Sequence, residues 1–115
     1  MRSGAYADMK ALLESGEKPA DCYFADNDLI AIGAMQALKE AGYRIPEDIA
    51  LVGFDDIPAA EYVNPPLTTV MVPKTFLGET AATRLIQRME GKNTQPLKIE
   101  VATRLVLRKS VLGTP

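Results

Sequence analysis

The sequence has no histidine. A Ser-His-Asp nucleophile, a histidine zinc site and a histidine pH switch are therefore excluded. It has one cysteine, Cys22. That residue can form neither an internal disulfide nor a thiolate metal site, and it suits a reducing compartment. A basic excess is also missing: thirteen Lys+Arg oppose fifteen Asp+Glu, for a net charge of −2. Such a chain carries no electrostatic footprint for nucleic acid. No apolar run approaches the roughly 18 residues needed to span a membrane. The opening Met1-Arg2-Ser3-Gly4-Ala5-Tyr6-Ala7-Asp8 lacks the apolar stretch of a signal peptide. A cytoplasmic setting without a membrane partner is expected. No Gly-rich phosphate loop of the Walker or dinucleotide type occurs, and no cofactor is implied.

What is present is ordinary globular sequence. The 115 residues suffice for one small domain, and 47% apolar with 24% charged residues exclude disorder as the dominant state. Ala5, Met9, Leu12 and Leu13 recur at helical spacing with Gly16 after them, which predicts a helix over 4–15. The aromatic, apolar run from Asp21 to Ala25 reads as a buried strand. Asp26-Asn27-Asp28 then precede an apolar helix over 29–39 that ends at Gly42, with residue types suited to the cap and first turn. Ile49 to Phe54 reads as a strand buried on both faces, running into Asp55-Asp56. A helical turn near Pro58 to Tyr62, a strand over 67–72, a helix over 75–90 and a long strand over 99–107 complete the reading. In the last strand Ile99, Val101, Leu105 and Leu107 would share one buried face. This alternation predicts an α/β fold with a largely parallel sheet and flanking helices.

The 29–39 helix is apolar almost all the way round. A helix covering one sheet face needs a stripe about 100° wide, which Ile30, Ala34, Ala37 and Leu38 supply. Ile32 and Met35 are left on another side, fit either for a subunit interface or for simple exposure.

The two acidic clusters, Asp26-Asn27-Asp28 and Asp55-Asp56, each follow a strand. Carboxyl ends of parallel strands share one sheet edge, where ligands bind. Carboxylates with a side-chain amide suit a neutral ligand rich in hydroxyls, such as a sugar or nucleoside. The same residues also have plain structural readings. Asp28 sits where a helix N-terminus favours negative charge, Asn27 or Asp26 can cap the helix, and Asp55 and Asp56 can decorate a turn. The acid pair would also fit a small metal-dependent enzyme built on Asp55 and Asp56. Gly53, isolated just before them, reads as relief of crowding.

Five stretches in order carry a specific resemblance. They are Phe24 to Ala34, Gly42 to Ile49, Val52-Gly53-Phe54-Asp55-Asp56-Ile57, Pro66 to Val70, and Gly78-Glu79-Thr80-Ala81 with the ending Leu105-Val106-Leu107-Arg108-Lys109-Ser110. Together they resemble the lactose-repressor (LacI/GalR) family of bacterial transcriptional regulators over nearly the whole chain. The resemblance implies part of a periplasmic-binding-protein-like (type I) fold, in which a cleft between two subdomains binds a sugar-like effector. Effector binding there changes operator affinity through a helix-turn-helix headpiece. Asn27 and Asp55 match cleft-lining positions, and Asp28 matches a helix-cap position. The 29–39 helix, with Ile32 and Met35, and the stretch at Tyr62 and Val63 match a homodimer surface.

The implied role is effector sensing and dimerisation without catalysis. A sugar-binding protein of the same fold used in transport is the neighbouring possibility. Set against the family pattern, the chain is expected to be a single-domain, C-terminal portion. It begins where members are past their middle, so the headpiece and most of the N-terminal subdomain are expected to be absent. DNA contact would come only through that headpiece. Val72 stands where many members carry a polar residue. The 75–90 helix, which the family assigns to the N-terminal subdomain, is expected to fold back on the sheet or to swap onto a partner, because its apolar face is costly to expose.

Overall fold

Asn27 starts the apolar helix and Gly42 stops it. The Asn27 side chain accepts a hydrogen bond from the Ile30 amide at 2.9 Å, satisfying a donor that a helix N-terminus leaves open. At the far end the Gly42 amide reaches the Lys39 carbonyl and the Tyr43 amide reaches the Leu38 carbonyl, both at 3.0 Å. That closing turn gives Gly42 a φ of 93°, which a residue with a Cβ adopts only under strain. The computed structural model describes residues 4–113. Its elements are α1 (Gly4–Glu14), β1 (Cys22–Phe24), α2 (Asp28–Glu40), β2 (Ala50–Val52), α3 (Ala59–Tyr62), β3 (Thr69–Met71), α4 (Lys74–Met89) and β4 (Arg104–Val106).

The chain divides into two compact units. One runs to Met71 and resumes at Arg104; the other is Val72–Thr103. In the first, β1 pairs with β2 in parallel, Tyr23 opposite Leu51. Parallel bridges join Val52 to Thr68 and Asp55 to Met71, so β3 continues the sheet. β4 then pairs with β3 antiparallel, Leu105 opposite Val70. The apolar centre is Leu38, Ile49, Leu51 and Leu67, all fully buried, with Ala31, Ala34, Met35 and Ala60 around them. Ser110, also fully buried, joins two strands with one hydroxyl. It donates to the Leu51 carbonyl at 2.6 Å and accepts from the Thr68 amide at 2.9 Å.

Two expectations about faces are corrected. On α2, Met35 is 3% exposed and belongs to the core, whereas Ile30 is 38% exposed. Ile30 therefore leaves the predicted inner stripe and Met35 joins the buried side. The last strand is three residues long rather than spanning 99–107, and it is antiparallel. Its parity is reversed as well: Leu105 and Leu107 are exposed and Val106 is half-buried.

The second unit is α4 and the segment that follows it. Arg84 donates to the carbonyls of Asn93 and Gln95, and Arg88 donates to that of Thr94 at 3.0 Å. These bonds hold the turn after the helix. A shallow apolar groove runs between Leu77, Ala81 and Leu85 of α4 and Leu97, Ile99 and Val101. None of the α4 residues is buried.

Gly53 carries a second glycine constraint. A Cβ placed there would stand 2.2 Å from Asp28 Oδ1, 3.0 Å from Leu67 Cδ2 and 3.3 Å from the Asp28 Cα. Gly53→Ala is thus expected to lower stability by about 1–3 kcal/mol, the usual penalty of overpacking. The urea unfolding midpoint measures this, and an unchanged midpoint would contradict the crowding.

The turn into β2 is closed by Arg44 and Asp48. The guanidinium donates through Nε at 3.0 Å and through NH2 at 2.9 Å, and the Arg44 amide adds a bond at 2.8 Å. These bonds, the side-chain ones foremost, hold the Asp48 carboxyl down at about 2 against an ordinary 3.8. The folded value lies below the unfolded one. The pair therefore supports the fold above the unfolded value and loses that support as pH falls through the folded one. An NMR titration of the Asp48 carboxyl should find its midpoint near 2, and Arg44→Gln should return it toward 3.8.

Candidate functional site

β1 and β2 run parallel, so the chain leaves both at the same sheet edge. The two exit loops are laced together there. The Ala25 amide bonds the Val52 carbonyl at 2.9 Å, and the Asp28 amide bonds the Phe54 carbonyl at 3.0 Å. The Asp28 side chain completes the lacing. It is fully buried; Oδ2 accepts from the Ile57 amide at 2.8 Å and Oδ1 from the Thr69 hydroxyl at 2.6 Å. This corrects the helix-cap role expected of Asp28. Asn27 is the cap, and the Asp28 carboxylate instead ties the start of α2 to the 54–57 turn and to β3. Gly53 lacks a side chain because that carboxylate occupies the space.

Asn27 is exposed and lines an open depression of about 670 Å3 with Phe24, Leu29 and Ile30 and, from α1, Met9 and Leu12. Its side-chain oxygen serves the helix; its amide group is the part left for a ligand. Asp55 is half-buried, with its backbone amide on the Val70 carbonyl at 2.8 Å. It stands on the adjoining turn and is not among the residues lining the depression. Asp55 and Asp56 both have positive φ, 119° and 58°.

Asp56 has a different fate. Its Oδ1 meets Arg108 at 2.8 Å, with the two side chains 19% and 17% exposed. A carboxylate held by a sheltered guanidinium is poorly placed as a general base or metal ligand. Among the described residues no cluster of three or more acids, cysteines or histidines could hold a metal ion. The metal-dependent reading of Asp55 with Asp56 thereby loses its carboxylate pair.

Of the residues expected at a homodimer surface, Met35 is buried in the core of its own unit, while Tyr62 is 80% exposed. Ile32 and Val63 are half-buried and pack on the core. They line a second open depression, about 410 Å3, with Gln36, Lys39 and Asn64. Lys39 Nζ donates to the Asn64 carbonyl at 2.6 Å, tying α2 to the loop after α3.

Sequence reasoning missed several participants. Phe24 reads as a strand residue, yet it is 65% exposed at the mouth of the depression. Thr69, Arg108 and Ser110 lie in stretches that carry the family resemblance, but no local signal announces their hydrogen-bond partners.

Comparison with known proteins agrees with this geometry. The family model for the periplasmic binding protein-like domain matches residues 1–111. The HTH-type transcriptional repressor PurR of Escherichia coli O1:K1 is 40% identical over 110 residues, covering 96% of this chain and 32% of the repressor. The chain thus spans about a third of the length of the curated relatives it matches. The lac repressor dimer bound to operator and the anti-inducer ONPF superposes with a TM-score of 0.85 at 33% identity, over 95% of this chain and 37% of that one. A LacI family transcriptional regulator from Enterococcus faecium with bound ribose gives a TM-score of 0.86 at 33% identity, over 99% and 41%.

Proposed function

The chain belongs to the periplasmic binding protein-like domain family, in the form that LacI-type regulators carry, and from that premise we propose that it forms one wall of a small-molecule effector site in a cytoplasmic transcriptional regulator. It senses and dimerises; it does not catalyse. DNA contact belongs to a separate headpiece. The observation that carries this reading is the lacing of two exit loops at one sheet edge by the buried Asp28. The lacing sets the polar side chain of Asn27 on a largely apolar depression and Asp55 on the turn beside it. A rigid scaffold carrying a few placed polar groups on apolar walls is what a small-ligand site requires. The amide of Asn27 and the carboxylate of Asp55 supply a donor and an acceptor for hydroxyl groups. A relative of the same fold holds ribose. That favours a sugar-like ligand over the metal chemistry that Asp56 has no carboxylate left to support.

The test is a titration of the isotope-labelled chain with ribose and adenosine at millimolar concentration, followed by NMR. Shifts are expected at the amides of Asn27 and Asp55. Asn27→Asp, which keeps a capping oxygen and removes the amide donor, should weaken the response, as should Asp55→Asn. If neither ligand moves residues 27 and 55, the sugar-site reading fails.

The second depression supports the dimer. Half-buried Ile32 and Val63 line it, Tyr62 next to Val63 in the chain is 80% exposed, and the lac repressor of the same fold is a dimer. Sedimentation equilibrium is expected to give twice the chain mass. Tyr62→Glu, at a side chain outside the core, should return the mass to that of one chain. A monomeric unmodified chain would overturn this surface.

A further inference from the structure

The turn after β2 holds two consecutive non-glycine residues at positive φ. Asp56, at 58°, sits in the left-handed well near 57° that aspartate tolerates. Asp55, at 119°, lies well beyond that well, where a side chain costs energy unless the surroundings fix it. Three contacts do so. The Asp55 amide is held by the Val70 carbonyl, and the next amide but one, that of Ile57, by Asp28. The third is the Asp56–Arg108 pair between them. Arg108 is itself fixed before it meets Asp56. Its amide donates to Thr69's neighbour Thr68, at Oγ1, over 2.8 Å, and its guanidinium also donates to the Leu67 carbonyl at 3.0 Å. The Lys109 amide and the Ser110 hydroxyl anchor the same stretch to Pro66 and Thr68.

We infer that Arg108 is a positioning residue for the proposed effector site: by gripping Asp56 it fixes the left-handed turn from which the Asp55 side chain projects. Arg108 does not line the depression beside Asn27; it acts through Asp56. Because the pair is less than one-fifth exposed, solvent screens it weakly. The functional half of this inference rests on Asp55 being a ligand residue; the geometric half does not.

Amide hydrogen exchange on the full chain separates the two. Arg108→Met should lower protection of the Asp55 and Ile57 amides by about tenfold, a factor equivalent to about 1.4 kcal/mol. Protection at Leu38, in the core, should stay unchanged. Asp55→Gly in the Arg108→Met background should restore protection of the Ile57 amide, because glycine takes the φ of 119° at that position without strain and no longer needs the grip. A residue that only stabilised the fold would not be rescued this way. Asp56→Asn tolerates the same backbone and leaves Arg108 on Leu67. It should lose protection like Arg108→Met, and it reads the pair even if Arg108→Met unfolds. Unchanged Asp55 exchange in Asp56→Asn, or no recovery in the double variant with Leu38 protected, overturns the inference. The same samples titrated with ribose read the functional half. If the unmodified chain responds at Asp55 and Asp56→Asn responds less, that half holds. If the unmodified chain is silent, the effector reading fails while the exchange result still decides the positioning.

Discussion

The rest of the structure hangs on one buried carboxylate. Asp28 is fully sequestered, and taking a carboxylate out of water costs several kcal/mol. The fold offsets that cost with two directed donors, the Thr69 hydroxyl and the Ile57 amide, each worth roughly 1.5–3 kcal/mol when the acceptor is charged. The start of α2 adds the positive end of a helix dipole. The donors come from residues 41 and 29 positions further along the chain. A single side chain therefore fixes the start of α2, the turn after β2 and the beginning of β3 against one another. Gly53 is the complement of this arrangement, since any Cβ at that position would collide with the carboxylate. The supports of this sheet edge converge on Asp28.

Which parts of this were legible follows from the range of each interaction. Helices α1, α2 and α4 lie where their spacing and stop signals put them, because periodicity and caps are local. The strand cores of β1, β2 and β3 were legible for the same reason, as apolar runs bounded by breakers. Reading fails where a partner far along the chain decides. A helix apolar on nearly every side, as α2 is, does not reveal which side meets the sheet, so Ile30 and Met35 exchange places. In β4 the even-spaced apolar residues suggested one buried face. The antiparallel pairing with β3 turns Val106 inward and leaves Leu105 and Leu107 out. The bridging hydroxyl of Ser110 reaches a carbonyl 59 positions away, and nothing near a serine announces that.

The apolar face of α4 separates what periodicity can tell from what it cannot. Leu77, Leu85, Ile86 and Met89 fall on helical spacing as expected, and all are exposed. Spacing identifies a surface made for burial; it does not say what buries it. The two arginines of that helix illustrate the same limit. Arg84 and Arg88 look like solvated charges in sequence, yet they hold the carbonyls of residues 93–95. The unit Val72–Thr103 thus has its own internal hydrogen bonds.

The acidic residues show why a cluster in sequence is a weak guide to chemistry. Asp28, Asp48, Asp55 and Asp56 are the same side chain with four fates, each set by the donors within reach. Asp28 is sequestered by an amide and a hydroxyl, and its role is architectural. Asp48 meets an exposed arginine and closes a turn. Asp56 meets a sheltered one, which removes it from acid–base and metal chemistry and turns it into a handle on the backbone beside it. Asp55 alone combines a half-buried position, a strained backbone held from three sides and a place at the carboxyl edge of the sheet. A cluster of acids therefore has to be read residue by residue through its donors: Asp28 and Asp56 brace the turn that carries Asp55, and the proposed effector site rests on that bracing rather than on the number of acids in the sequence.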